Sequence, residues 1–533
     1  MYSRIAGTLL NYKFFNKLTI YLGLVVVCIF LFVKIKNTLL RQWKIYIQLR
    51  WLPGPEKTVP FLGNSYMFFN CNTADIYNVF VKLINKYGRK SAFKFWVGNK
   101  VFIILTKPED LRILYNSQYA MEKEHTLYQM FSEWLGNDSL LIAPVEKWKA
   151  HRRILAMTFS QRVLDNFVQI FSKNSVNLSN ELQSYADNKE IFNVYNVINK
   201  YTVKSICGTL MGVEIKDEHF VQKYLTAVQK EAEIIYLKMC KFWLHFNIIY
   251  KFSKMYEDET KYLKILHSFS KMVFMKKNIS YSNENSFSSS SKKFGINPKR
   301  KPFLELLLDL KRNCIHYDQN QILDDMNIFL AAGTETTSIT SSFVLLMLGI
   351  HQNIQDKVYE ELNRILNDDK NEHEKNKNRM ITPDDIRQMF YLEMVIKETL
   401  RLYPIVPIVA RTITKDLMLP TSGTIPSGCC CIAAPIAVHY DPEIWTQPLL
   451  FNPDRFLSEE KIKRHIYSFI PFSGGLRNCI GKKFAFMSLK VLIASIIRDY
   501  QILTPLKMED IQLKVEVTLK SVNGYPIQLV RRR

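Results

Sequence analysis

The chain has 533 residues, 47% hydrophobic and 13% aromatic, enough apolar mass for a large buried core and against wholesale disorder, a collagen helix or a disulfide scaffold. Its 72 basic and 49 acidic residues leave a formal charge of +23, spread along the chain without nucleic-acid module spacing, so the excess reads as a solvated lysine-rich surface or as a docking face for an acidic partner. The nine cysteines include no CxxC pair, which excludes zinc-ribbon spacing and fits a reducing compartment.

At the amino end, Leu18 to Val33 carries no charge over sixteen residues, with Lys13 and Lys17 before it and Lys34, Lys36, Arg41 and Lys44 after it. Such a run rises about 24 Å as a helix, slightly short of a bilayer core. Snorkelling lysines and local thinning can close that gap. Residues 1–35 are read as an N-terminal membrane anchor, with a cleaved signal peptide as the alternative, although no small-x-small site follows the run. The basic excess on its carboxyl side favours that side being cytosolic. Residues 36–65 are read as a basic segment and a hinge, where Pro53, Pro55 and Pro60 favour an extended connector.

The rest, 66–533, is expected to be one large domain, mainly α with a small β portion (α+β). Helical periodicity marks Asp75–Tyr87, Pro108–Asn116, Trp148–Phe159, Val221–Lys238, Ile354–Leu366 and Tyr391–Leu402. Strand candidates are Ala92–Trp96, Val101–Leu105 and Cys429–Ala434. Lys276–Arg300, with its SFSSSSKK run, and Asn367–Arg379 are expected to be flexible loops.

Several stretches carry chemistry. WKAHRR puts Trp148 and Arg152 one helical turn apart. Within the apolar run Ile322–Met347, seven of the nine residues from Thr334 to Ser342 are Thr or Ser, poor helix formers that need tertiary contacts to compensate. KETLRLYP sets Glu398 and Arg401 at i, i+3, where they can pair. FSGGLRNCIG, Phe472 to Gly481, sets Cys479 among three glycines just before a helical pattern. The glycines allow turns and close approach of a flat ligand, and a helix amino terminus favours a thiolate. Taken alone, Cys479 could equally be a buried structural cysteine on a turn, and the Thr/Ser run could simply pack small side chains.

The order F-x-x-G-x-R-x-C-x-G resembles the haem-thiolate signature of the cytochrome P450 superfamily, and the similarity extends over nearly the whole chain. TLYQMFSEWLGNDSLL and KPFLELLLDL resemble the fourth family of the microsomal clan, in an insect-like style. The resemblance implies Cys479 as axial ligand of haem iron, shielded by Phe472. It implies that Arg477, Trp148, Arg152 and Arg411, the last ending VPIVAR, bind the haem propionates. AAGTETT matches the family's central-helix motif, so Ala332 and Gly333 would leave room for dioxygen and substrate. Thr336 would hydrogen-bond activated oxygen, and Glu335 would relay protons. Glu398 and Arg401 would meet Arg455 of FNPDRF in a structural cluster. Phe131, Leu140, Phe329, Ala332, Ile408, Val409 and Val522 would line a lipophilic substrate space. Many members of the fourth family have glutamate where Ala332 stands, able to ester-link the haem; alanine implies non-covalent haem and leaves end-of-chain selectivity open.

The implied activity is a monooxygenase that inserts one oxygen atom into a fatty acid, hydrocarbon, terpenoid or xenobiotic. Electrons would come from NADPH through NADPH–cytochrome reductase, with cytochrome b5 as a second donor, in the endoplasmic reticulum membrane. Lys149, Arg152, Arg153, Lys482 and Lys483 would form the basic docking face. A reductase-independent haem-thiolate isomerase or dehydratase and a non-enzymatic haem-binding relic are the alternatives.

Overall fold

The Thr/Ser-rich stretch lies inside one unbroken helix, Gln319–Ile350. Ser338, Thr340, Ser341 and Ser342 each donate to the carbonyl four residues back, which satisfies hydroxyls that would otherwise compete with the helix ladder. From Phe343 to Leu348 every side chain is buried. This computed structural model describes residues 2–287, 301–312, 318–366 and 379–532. The helices packed on the central one include Val194–Ile206, Phe390–Leu402 and Lys482–Asp499. A Cβ on Gly333 would lie 2.5 Å from Ile206 Cδ1. The smallness of Gly333, expected to make room for dioxygen, therefore serves the approach of two helices.

The strands form four small sheets. β1 (Phe93–Val97), β2 (Lys100–Leu105), β3 (Glu122–Lys123), β5 (Val409–Thr412) and β8 (Cys430–Ala433) make one sheet in the order β1-β2-β8-β5-β3, with β2 and β8 parallel and the other pairs antiparallel. β4 (Phe192–Asn193) and β9 (Tyr500–Leu503) flank β12 (Pro526–Arg531). β6 (Leu417–Leu419) pairs with β7 (Gly423–Ile425), and β10 (Leu513–Glu516) pairs with β11 (Thr518–Ser521). The register of β3 on β5 sets Lys123 opposite Arg411.

Element types follow the sequence patterns closely. Helices occupy Thr73–Tyr87, Pro108–Asn116, Glu218–Cys240, Gln352–Leu366 and Phe390–Leu402. The segment expected as a helix over Trp148–Phe159 is a helix over Val145–Leu155 followed by a 3-10 turn, Ala156–Phe159. The first expected loop is wrong in part, because the helix Lys254–Phe287 covers its first part, up to Phe287. Tertiary contacts outweigh the poor composition: Lys277 pairs with Glu305 at 2.7 Å, and the buried Tyr281 bonds Asp309. Residues 288–300 of that expected loop, and 367–378 of the second, lie outside the described residues. Arg379 at the end of the second is held by Asp385, and its carbonyl accepts from Arg498.

The chain divides into two units, Met1–Pro53 and Gly54–Arg533. The first is a helix over Tyr2–Gln48. It runs through residue 35, since no proline or glycine stands between Val33 and Gln48. Leu22, Val25, Val26, Ile29, Phe30 and Phe32 are exposed on it. Among the described residues, no helix is long and apolar enough to cross a membrane.

Candidate active site

The cysteine loop is tied by its own backbone. The Cys479 N–H donates to Phe472 O at 3.0 Å, closing Phe472–Cys479 into a compact turn. The turn needs one glycine above all. Gly475 has φ +67°, and a Cβ there would sit 2.0 Å from Tyr115 O. Gly481 differs from expectation, with an ordinary φ of −84°. A Cβ on it would meet only Cys479 Sγ, at 3.9 Å. Cys479 is exposed. Burial raises its thiol pKa, against the Gly481 amide, Arg152 and Lys482, which lower it. A bound metal would remove the proton instead.

The central helix supplies an opening. From Gln321 to Ile350 every residue is buried or half-buried except Ala332, which is exposed. Thr336, one turn on, is half-buried and donates its hydroxyl to Ala332 O at 2.6 Å. Open space in the middle of an otherwise covered helix marks where a ligand belongs.

Cations gather beside the loop. Arg477 donates to Met121 O at 3.0 Å and Ala143 O at 2.7 Å, with its guanidinium 4.8 Å from the Trp148 ring centre. Arg411 is 2% exposed. Its Nη1 and Arg477 Nε are buried without a hydrogen-bond partner among the described residues. Lys123, which sequence reasoning missed, faces Arg411 and lies 3.1 Å from Tyr128 OH. Burial, then Arg411 and Arg477, push its ammonium pKa well down. Both terminal nitrogens of Arg152 donate to Asn478, to O and Oδ1 at 2.9 Å each, so its fork clamps the cysteine loop.

Under the loop lies a closed charge cluster. Arg401 Nε and Nη2 bind Glu398 at 2.7 and 2.8 Å, and Arg455 Nε lies 3.3 Å from Glu398 Oε1. Arg401 also donates to the carbonyls of His439, Pro448 and Leu450. His439, unremarked in sequence, carries the cluster to the loop. Its Nδ1 lies 3.1 Å from Arg401 O, and its Nε2 accepts from Ile470 N at 2.9 Å. Burial, then Arg401, holds its pKa down to about 3. Folded His439 therefore stays neutral while the unfolded chain takes up a proton below about 6.5. Stability should fall as pH drops from about 6.5 towards 3, by up to about 1.4 kcal/mol per pH unit. His439→Gln, which keeps a donor and an acceptor, should remove that slope in urea unfolding followed across this range. An undiminished slope would assign it elsewhere.

A family description, Cytochrome P450, matches residues 53–527. The chain belongs to the cytochrome P450 family. It is similar to Cytochrome P450 4g1 of Drosophila melanogaster, 32% identical over 520 residues, 92% of this chain and 91% of that protein. It is similar to Cytochrome P450 4c3 of the same organism, 31% over 506 residues, again 92% and 91%. It is similar to Cytochrome P450 4V2 of Mus musculus, 30% over 497 residues, with the same coverage. This P450 is a haem-thiolate monooxygenase of fourth-family type, an oxidoreductase whose haem iron is bound by a cysteine.

The residues of this P450 fit the group. An exposed thiol, an exposed alanine on a buried helix and two buried guanidinium nitrogens without partners suit a flat, dianionic, iron-bearing ligand. The expected substrate residues divide. Ile408 lines an apolar cavity with Phe68, Tyr77, Phe95, Met239 and Val515. Phe131 and Val409 are buried, and Leu140 is half-buried against the core. The Phe329 ring packs on Phe159 and Phe303, at 5.5 and 4.6 Å, which turns it to the core. Val522 is 45% exposed in the turn between β11 and β12, outside that cavity. Phe472 leans on Phe486, 5.4 Å between centres.

Proposed function

We propose that this P450 oxidises a lipophilic substrate (fatty acid, hydrocarbon, terpenoid or xenobiotic) beside Ala332, with Cys479 as the iron ligand. The opening at Ala332, in a helix otherwise covered from Gln321 to Ile350, carries this reading. When bound, the haem supplies the dioxygen chemistry, tuned by its thiolate ligand. Arg411, Arg477 and Lys123 hold the propionates, with Trp148 as the floor beneath Arg477. Arg152 fixes the cysteine loop through Asn478. Phe472 covers the sulfur side. Thr336 holds a hydroxyl at the opening, and Glu335, next in the helix, supplies its protons. Ala332 offers no carboxylate for an ester, so the haem is held non-covalently apart from the sulfur–iron bond. The apolar wall around Ile408 takes the hydrocarbon portion of the substrate.

Electrons come from NADPH through a membrane-bound flavoprotein reductase, NADPH–cytochrome reductase, with cytochrome b5 as an auxiliary donor. The exposed Lys482, Lys483, Lys149 and Arg153 make the docking face. Residues 1–35 anchor the chain in the endoplasmic reticulum membrane, 36–65 form the connector, and 66–533 form the cytosolic catalytic domain. The exposed apolar stretch of the first helix supports the anchor.

Turnover of fatty acids and hydrocarbons by the full chain with reductase should require NADPH. Product formed without NADPH or reductase would favour an isomerase or dehydratase. Lys482→Glu should raise the reductase concentration for half-maximal rate about tenfold at low salt, leaving the substrate-induced spectral shift in place. Equal losses in both would remove the docking role.

A further inference from the structure

The acid of the central helix is held on both oxygens. Glu335 Oε1 lies 2.6 Å from Lys520 Nζ, and Tyr195 O–H donates to Oε2 at 2.8 Å. Lys520 stands on β11 and is nearly buried. Its Nζ is also 3.2 Å from Glu516 Oε2 on β10, whose other oxygen pairs with Lys514, 31% exposed. Acid, base, acid and base thus alternate from the central helix to the solvent edge of the β10–β11 hairpin. Gln229 completes the far side, donating to Tyr195 OH at 3.3 Å. Burial alone would lower the Lys520 pKa, but Glu335 and Glu516 raise it overall, so the ammonium stays charged. Glu516 is lowered despite burial, by Lys520 and Lys514.

A buried carboxylate without a partner takes up a proton or costs several kcal/mol. Sequence spacing gives no hint of this arrangement, because the hairpin lies far along the chain from the central helix. Nothing in it belongs to the haem contacts described above.

We propose that Lys520 is a positioning residue for proton supply: it holds the Glu335 carboxyl group aimed at the hairpin, and links it through Glu516 and Lys514 to solvent. A proton bound for the Thr336 side leaves the Lys520 ammonium, crosses the Glu335 carboxyl group and passes on, and the amine left on Lys520 takes up its replacement from solvent by way of Glu516 and Lys514. The assignment rests on the monooxygenase reading, since only a reaction that consumes protons needs the supply.

The test uses the full-length holoenzyme with reductase. Lys520→Met should lower product formed per NADPH about tenfold, with the diverted electrons recovered as hydrogen peroxide, and should enlarge the solvent deuterium isotope effect. Infrared spectra, taken with or without haem, should show a protonated carboxyl band in Lys520→Met that disappears when Glu335→Gln is added. Lys520→Arg should restore coupling and remove the band. Glu516→Gln keeps the Lys520–Glu335 pair, so it should lose coupling without gaining the band, and it serves if Lys520→Met does not fold. Wild-type coupling in Lys520→Met or in Glu516→Gln, or equal loss in Lys520→Met and Lys520→Arg, overturns the assignment. Wild-type protein lacking a thiolate-type spectrum would instead overturn the proposed function.

Discussion

Cys479→Ala should leave a folded protein whose reduced, carbon-monoxide-treated form lacks the thiolate-type Soret band and whose turnover is abolished. The loop itself should survive, because its closing hydrogen bond runs from the backbone of residue 479 to Phe472 O. The side chain is exposed and small, so the cost in stability should be about 1 kcal/mol or less. Four of the other described cysteines are poorly suited to substitute. Cys207 and Cys240 are pushed up to about 12 by burial, and Cys430 and Cys431 lie buried in β8 with pKa values raised well above the usual thiol range. The pair of measurements separates ligand from scaffold. Circular dichroism should match the wild type while the Soret band is gone. A persisting band would place the iron on another residue, and lost helicity would make the cysteine structural.

Arg401→Ala should have the larger effect on the fold, for a different reason. Its guanidinium is fully buried and serves Glu398 and three backbone carbonyls at once. Alanine leaves Glu398 with Arg455 at 3.3 Å and the Asn452 amide at 2.9 Å, and strands the carbonyls of His439, Pro448 and Leu450. Breaking one side of a buried ion pair costs about 3–5 kcal/mol. Unsatisfied buried acceptors add about 1–3 kcal/mol each. Against a typical stability of about 5–15 kcal/mol, the variant should accumulate little folded, haem-bearing protein. Arg401→Lys keeps charge but not the fork, and should recover only part of the loss. Expression yield and thermal melting decide it; wild-type melting in Arg401→Ala would show the cluster to be dispensable.

The two variants also separate what was legible in sequence. The cysteine loop and the Glu398–Arg401 pair were legible because each is local: ten residues in one turn, and two side chains one helical turn apart. The bond from Arg152 to Asn478 was not legible, because Asn478 reaches it only in the fold, where its two acceptors match a guanidinium fork. Gly333 was misread because smallness alone does not say which neighbour needs it; Ile206 does. His439, Lys123 and Lys520 carried no signal at all. Each is a common residue in an unremarkable context, given meaning by Ile470, Arg411 and Glu335 across sheets and helices.

Periodicity, breakers and short motif spacing by themselves determined several of the helices and three of the five strands of the larger sheet, because these depend on residues within a few turns of one another. Only the tertiary structure decided which charges meet, which face of the central helix stays open at Ala332 and which aromatic rings, such as Phe329, turn to the core. Those outcomes depend on through-space distance and exclusion of water, and neither is encoded in order along the chain.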